Sequence, residues 1–284
     1  MLFFPYATYD KDFKFDYDAY AEQLDYLMKY RINGIICSGS IGEIHALTDE
    51  EIMRVLKIAI DKVGGKVVVG ENVTADDSAH SVKLARQAEE AGADFLMCSP
   101  PYFWGLTEED LYTHYKRIND AVKIPIMTYN NPFISKIELT PAVVGRLHKN
   151  LGNIKYHKET SKSYTVLHKQ VRTGIGLFST DACIYPTLQL GGLGATVNGF
   201  RAKETVQLYE AFLAGDHKKT LAIQQKILDT FVGGEELSNL LAWCKAFAEL
   251  KGLKVGPPRP PYNPLTQQEK EELRKLCEKA GYDL

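Results

Sequence analysis

The chain has 284 residues, a formal net charge of −2, 45% hydrophobic and 25% charged residues. This length allows one large domain or two small ones, and the near-neutral balance offers no basic field for nucleic acid or for an anionic membrane. No apolar run is long enough to span a bilayer, Met1–Pro5 is too short for a signal peptide, and the five scattered cysteines (Cys37, Cys98, Cys183, Cys244, Cys277) form no Cys-x-x-Cys pair, which fits free thiols in a reducing cytoplasm.

Along the chain, short apolar runs alternate with longer amphipathic segments. Phe3 to Ala7 supplies a first strand, and Asp16-Tyr17-Asp18 opens a helix to about Tyr30. Gly34-Ile35-Ile36-Cys37 reads as a buried strand, followed by a capping box at Thr48 and Glu51 in which each residue satisfies a free helix N–H. The Lys66–Gly70 strand precedes a helix from Asp76-Asp77-Ser78 to Ala91-Gly92. Phe95–Cys98 precedes an acid-rich helix start at Thr107–Asp110, favourable against the positive helix end. Ile124–Tyr129 is a fifth strand, and Thr140-Pro141 places proline at a first helical position. Ile154–Lys158, Ile175–Phe178 and Ala195–Val197 complete eight strand candidates, with helices from Ser161, Asp181 and Arg201.

Strands alternating with helices argue for a parallel α/β sheet. Eight βα units argue for closure into a barrel, which takes roughly 250 residues. An open doubly wound sheet is the alternative, but the first strand lacks a Gly-x-Gly-x-x-Gly turn. The catalytic barrel is expected over residues 1–215. Residues 216–284 are expected to form a three-helix extension (His217–Phe231, Glu235–Lys251, Thr266–Ala280), with an extended proline-rich linker from Gly256 to Pro264.

In such a barrel the active site lies at the C-terminal strand ends. Those ends carry Ser38–Glu43, Ser99–Trp104, Tyr129–Pro132, Lys158, Ser179-Thr180-Asp181 and Asn198-Gly199-Phe200. No histidine or carboxylate pair has ligand spacing there, so no metal is expected. Strand alternation puts Ile154, Tyr156 and Lys158 on one side. If that side is the barrel interior, Lys158 is a desolvated amine able to attack carbonyls; a plain surface lysine is the other reading. Tyrosine, small hydroxyls and glycine-bordered backbone complete the parts for Schiff-base chemistry. Glu43 is expected to brace its turn. His157 should face the outer helices, and Asp181 should begin a helix. His45 stands near the mouth, where it either contacts substrate or does not.

Gly39-Ser40-Ile41-Gly42-Glu43, Pro101-Tyr102-Phe103, Tyr129-Asn130-x-Pro132 and Lys158-Glu159-x-Ser161, in register, resemble the dihydrodipicolinate synthase / N-acetylneuraminate lyase family over nearly the whole chain. The resemblance implies a (β/α)8 TIM barrel with a C-terminal helical extension, usually in homotetramers. It implies turnover of a small 2-oxo acid, often pyruvate, with no metal or organic cofactor. Lys158 matches the imine lysine, Tyr129 the proton-relaying tyrosine, and Ser40 a hydroxyl that holds the substrate carboxylate. Ile41 stands where a second hydroxyl is usual, Phe103 matches a tyrosine relay, Ile134 matches a carboxylate-binding arginine, and Tyr156 replaces a common glycine. With hydroxyls at Ser40, Thr180 and Asn198 and no second-carboxylate arginine, the expectation is aldol cleavage of a 2-keto-3-deoxy sugar acid to pyruvate. Dehydration of such an acid and a non-catalytic metabolite-binding barrel are the alternatives. Dihydrodipicolinate synthesis itself is disfavoured.

Overall fold

The structure, a computed structural model, describes residues 1–235 and 240–284. Eight strands are β1 (Leu2–Phe4), β2 (Gly34–Cys37), β3 (Val68–Asn72), β4 (Phe95–Cys98), β5 (Ile126–Asn130), β6 (Ile154–Glu159), β7 (Gly176–Ser179) and β8 (Gly194–Asn198). Each pairs in parallel with the next, and β8 returns to β1, so the sheet is a closed (β/α)8 barrel. Around it run α1 (Tyr17–Met28), α2 (Asp49–Val63), α3 (Ser78–Ala91), α4 (Glu108–Ala121), α5 (Pro132–Ser135), α6 (Pro141–Asn150), α7 (Tyr164–Val171), α8 (Ile184–Gln189) and α9 (Ala202–Leu213). Beyond them lie α10 (His217–Glu235), α11 (Leu240–Leu250) and α12 (Gln267–Lys279). The expected Glu235–Lys251 helix begins across residues 236–239, which lie outside the described residues.

Local chemistry explains many of the boundaries. Thr48 with Glu51 and Thr107 with Asp110 form reciprocal capping boxes at α2 and α4, and Thr266 with Glu269 does so at α12. The first strand is shorter than expected because Pro5 has no N–H for the ladder. Past it, Tyr6 takes its hydrogen bonds from the Gln23 side chain, whose Oε1 accepts from its N–H (2.9 Å) and whose Nε2 donates to its carbonyl (3.1 Å). β3 begins at Val68 and runs past the expected end at Gly70 to Glu71 and Asn72. Its ladder with β2, Gly34–Val68 through Cys37–Glu71, carries it there.

The alternation expected along β6 breaks once. Ile126 pairs with Ile154, but Met127 pairs with Tyr156, so Lys155 is an extra residue in the ladder. One inserted residue flips the facing of everything before it. Ile154 therefore packs in the outer layer between strands and helices, while Tyr156 packs with the barrel-interior cluster. The expectation that Ile154 shares a face with Tyr156 and Lys158 is corrected accordingly; Tyr156 and Lys158 do share one.

The barrel interior is filled by Leu2, Phe4, Ile36, Phe95, Met97, Met127, Tyr129 and Phe178. Gly176 leaves space for Tyr156: a Cβ there would stand 2.7 Å from the Tyr156 ring. The layer beneath Lys158 is thus aromatic, with Tyr156 and Phe178 edge to face at 6.0 Å. A separate cluster joins the barrel to the C-terminal helices through Tyr6, Phe200, Trp243, Phe247 and Tyr282.

Candidate active site

Lys158 is buried (5% exposed) near the C-terminal end of β6. Its Nζ lies 3.8 Å from the centre of the Tyr129 ring and 4.4 Å from that of Phe4. Burial lowers its proton affinity, and the neighbouring Tyr129 only partly offsets this. A lysine below its ordinary range has a larger neutral fraction, which is the nucleophilic form. Burial alone would push the Tyr129 phenol up. The Lys158 charge and hydrogen bonds from Ser40 and Asn131 outweigh it and hold the phenol below the usual tyrosine range.

The Tyr129 hydroxyl is fixed from two sides. Asn131 Nδ2 donates to it at 2.9 Å, and the Ser40 hydroxyl lies 3.4 Å away. Asn131 escaped the sequence reading, although its signal was present: it lies two residues after Tyr129 on a strand end, hence on the same face. Asn130 points the other way, donating to both Glu159 carboxylate oxygens (3.0 and 3.1 Å) and accepting from the Leu139 N–H. Outward too is His157, between the Thr128 hydroxyl (2.7 Å) and Glu159 (3.3 Å), a packed histidine as expected.

Of the residues expected at the site, the structure brings Lys158, Tyr129 and Ser40 together. Ile41 sits in the same turn but faces apolar neighbours, packing against both the barrel-interior cluster and the cluster under the C-terminal helices. Asn198 ends β8 and aims its Nδ2 at Cys244 Sγ (3.9 Å). Thr180 follows β7 without its side chain capping the turn that begins there. Neither of these two side chains joins the Lys158–Tyr129–Ser40 group through a described hydrogen bond. Asp181 is engaged by buried Arg201, which also donates to Thr230 at 3.0 Å. His45 is exposed and packs edge-on to Tyr262. Within the single chain Phe103 and Trp104 are 76% and 79% exposed, and Ile134 is exposed as well. Among the described residues no group of histidine, cysteine and carboxylate side chains could hold a metal ion.

A buried amine beside a hydrogen-bonded phenol, with a small hydroxyl on the same phenol, is equipment for imine chemistry with proton relay. The sequence profile described as the Dihydrodipicolinate synthetase family matches residues 1–280. The chain belongs to the dihydrodipicolinate synthetase family. It is an enzyme of the class I, Schiff-base-forming lyases that make up this family. It is 31% identical over 274 residues to a 4-hydroxy-tetrahydrodipicolinate synthase of Caldicellulosiruptor saccharolyticus, covering 95% of this chain and 92% of that one. A protein of the same name from Methanopyrus kandleri is 30% identical over 266 residues, covering 92% and 88%. Among solved structures, YagE, an Escherichia coli K12 prophage protein of the dihydrodipicolinic acid synthase family in complex with pyruvate, superposes with a TM-score of 0.93 at 28% identity over 98% of this chain and 97% of that one.

These relatives overturn the expected function. Cleavage of a 2-keto-3-deoxy sugar acid rested on the hydroxyls of Ser40, Thr180 and Asn198 and on the missing arginine at Ile134, its dehydration on the same imine, and a barrel without turnover on Ile41 and Phe103; the argument against synthase chemistry rested on Ile41, Phe103 and Ile134. Relatives bearing the synthase name match over most of both chains. The physical reason lies in where those three residues stand. Ile41 fills an apolar seam, and Phe103 and Ile134 are exposed beyond the imine site. None of the three exchanges removes the buried amine or the phenol.

Proposed function

We propose that the chain is a 4-hydroxy-tetrahydrodipicolinate synthase-type lyase that joins pyruvate to an aldehyde through an imine on Lys158. The observation that carries this reading is the buried Lys158 amine 3.8 Å from the Tyr129 ring. Neutral Lys158 attacks C2 of pyruvate. The carbinolamine hydroxyl leaves as water with a proton delivered by Tyr129, giving the imine. Loss of a C3 proton to the tyrosine gives an enamine, whose C3 bonds to the aldehyde carbon while the new alkoxide takes a proton. The amino group carried by the acceptor then adds to C2 of the imine, closing the ring and expelling the Lys158 amine. Ser40, with the backbone N–H groups of its turn, holds the pyruvate carboxylate. The product named for the relatives is a ring nitrogen dicarboxylate, so the acceptor is an aldehyde carrying both an amino group and a carboxylate. Thr180, just past the neighbouring β7, faces the acceptor in this reading, and Asn198 meets it only by turning away from Cys244.

Three further readings accompany it. Residues 1–215 act as the catalytic barrel and 216–284 as the helical extension. The protein works as a homo-oligomer, a tetramer by family resemblance, and exposed Phe103 and Trp104 after β4, Phe133 in α5 and Tyr164 at the start of α7 support association. A cytoplasmic location is supported by five free, buried cysteines.

The test is to add pyruvate and borohydride and map the modified residue, then to measure pyruvate consumption with amino-aldehyde acids. Modification of Lys158 and acceptor-dependent pyruvate loss are expected. Full activity in Lys158→Ala would overturn the mechanism.

A further inference from the structure

The turn that carries Ser40 is bounded by two non-glycine residues in the left-handed region, Ser38 (φ 49°) and Glu43 (φ 54°). Such residues persist where their surroundings over-determine them. For Glu43 the surroundings come from the far end of the chain. Its carboxylate is fully buried; Oε1 accepts from Lys245 Nζ of α11 at 2.7 Å, and Oε2 accepts from the Arg259 N–H at 3.0 Å. Lys245, also buried, donates to the Pro257 carbonyl at 3.0 Å and lies 4.7 Å from the Tyr9 ring. Arg259 clasps the segment after the turn, donating to the Ala46 carbonyl (2.6 Å) and to both oxygens of Glu51 (2.6 and 2.8 Å). Within the turn, the Glu43 N–H donates to the Ser40 carbonyl at 3.2 Å. A rigid chain of bonds therefore runs from α11, through Glu43, to the residue whose hydroxyl meets Tyr129.

We infer that the buried Glu43–Lys245 ion pair is a positioning device by which the C-terminal extension sets the Ser40 turn for the substrate carboxylate. Glu43 and Lys245 touch no substrate; they act through Ser40, and the inference rests on the imine-site reading given above. A buried ion pair is a poor source of net stability but costs much when one partner is lost. This suits a residue pair that fixes one geometry.

The experiment uses Lys245→Met, Glu43→Gln, Ser40→Ala and the Lys245→Met/Ser40→Ala double variant of the full chain. Amide hydrogen exchange is followed by mass spectrometry, and pyruvate kinetics are measured with the acceptor assay. Lys245→Met is expected to lose protection over residues 39–44 with the barrel strands unchanged. Its KM for pyruvate should rise about tenfold with a smaller change in kcat, and the same exchange made in Ser40→Ala should move KM less than about threefold, since coupled sites are not additive. Glu43→Gln, which keeps the shape and one acceptor, should retain part of the protection and of the low KM. Unchanged protection of residues 39–44, or additive KM effects, would overturn the inference. If Lys245→Met does not fold, Glu43→Gln decides by the same measurements. The exchange readout needs no turnover. A wild-type protein that traps no pyruvate on Lys158 therefore defeats the imine reading and the carboxylate role of the turn together, while lost protection alone still separates the clamp from the chemistry.

Discussion

Tyr129 and Lys158 are partners in the ladder between β5 and β6, and this pairing, not sequence proximity, stacks the amine on the phenol ring at 3.8 Å. Because the Tyr129 influence on Lys158 raises its proton affinity against the larger, lowering effect of burial, removing the hydroxyl has a definite sign. In Tyr129→Phe the pH at which half of Lys158 is neutral moves down, so imine formation reaches its plateau at lower pH than in the wild type. Turnover should nevertheless fall about 10²- to 10⁴-fold, the usual contribution of a positioned acid–base group. The pH profile of borohydride trapping, set beside kcat, checks both. A profile shifted to higher pH would contradict the assigned contact.

Glu71 offers a pH dependence outside the site. It is fully buried beside Cys37 and Leu96 in the ladder, and one of its oxygens has no hydrogen-bond partner among the described residues. Burial pushes its carboxyl well above the usual range, against smaller opposing hydrogen bonds from Ser38 and the Asn72 N–H. A raised folded-state value means that the folded chain holds this proton more tightly than the unfolded one. The associated stability is complete below the ordinary glutamate range, near pH ~4.3, and declines as pH rises above it. Glu71→Gln removes the titration. Urea unfolding at pH 4 and pH 7 should show the variant gaining on the wild type as pH rises, at up to about 1.4 kcal/mol per pH unit within the titration window. A constant difference across that range would show that Glu71 does not carry the proton.

The Arg201–Asp181 pair ties the end of β7 to the end of β8 and, through Thr230, to α10. Both side chains are buried, so removing either strands a charge. Arg201→Met and Asp181→Asn should each lower the unfolding free energy by about 3–5 kcal/mol. The double variant should lose less than the sum. Denaturant titration measures this, and additive losses would mean that the two do not act as a pair.

Phe103 and Trp104 test the association proposal. Their rings meet edge to face at 5.8 Å yet stand exposed on the loop after β4. Charged replacements, Phe103→Asp with Trp104→Asp, should reduce the mass seen by sedimentation without lowering the melting temperature of the barrel. An unchanged mass would place the subunit contact elsewhere.

Much of the site was legible before folding. Lys158 on a strand end, Tyr129 one strand earlier and Ser40 in a glycine-flanked turn are each local features, and parallel closure brings such ends to one mouth. Asn131 was missed because Tyr129-Asn130-Asn131 offers two amides, and only the strand's facing tells which one meets the phenol. Thr180 and Asn198 were named for their strand ends alone, and position on a rim does not specify where a side chain turns.

The sequence by itself determined the period of strands and helices, the capping boxes at Thr48 and Thr107, and the proline start of α6, because these depend on residues within a turn or two of one another. Tertiary structure alone decided the rest. The extra residue Lys155 reversed the facing of Ile154, which no alternation count reveals. Docking of the C-terminal helices on the barrel brought Glu43 to Lys245 across 202 residues. Ile41 became a seam between two apolar clusters instead of a missing hydroxyl. Pairings of that range arise only when distant surfaces are buried against each other, and a local pattern of apolar and polar residues holds no record of which surfaces those are.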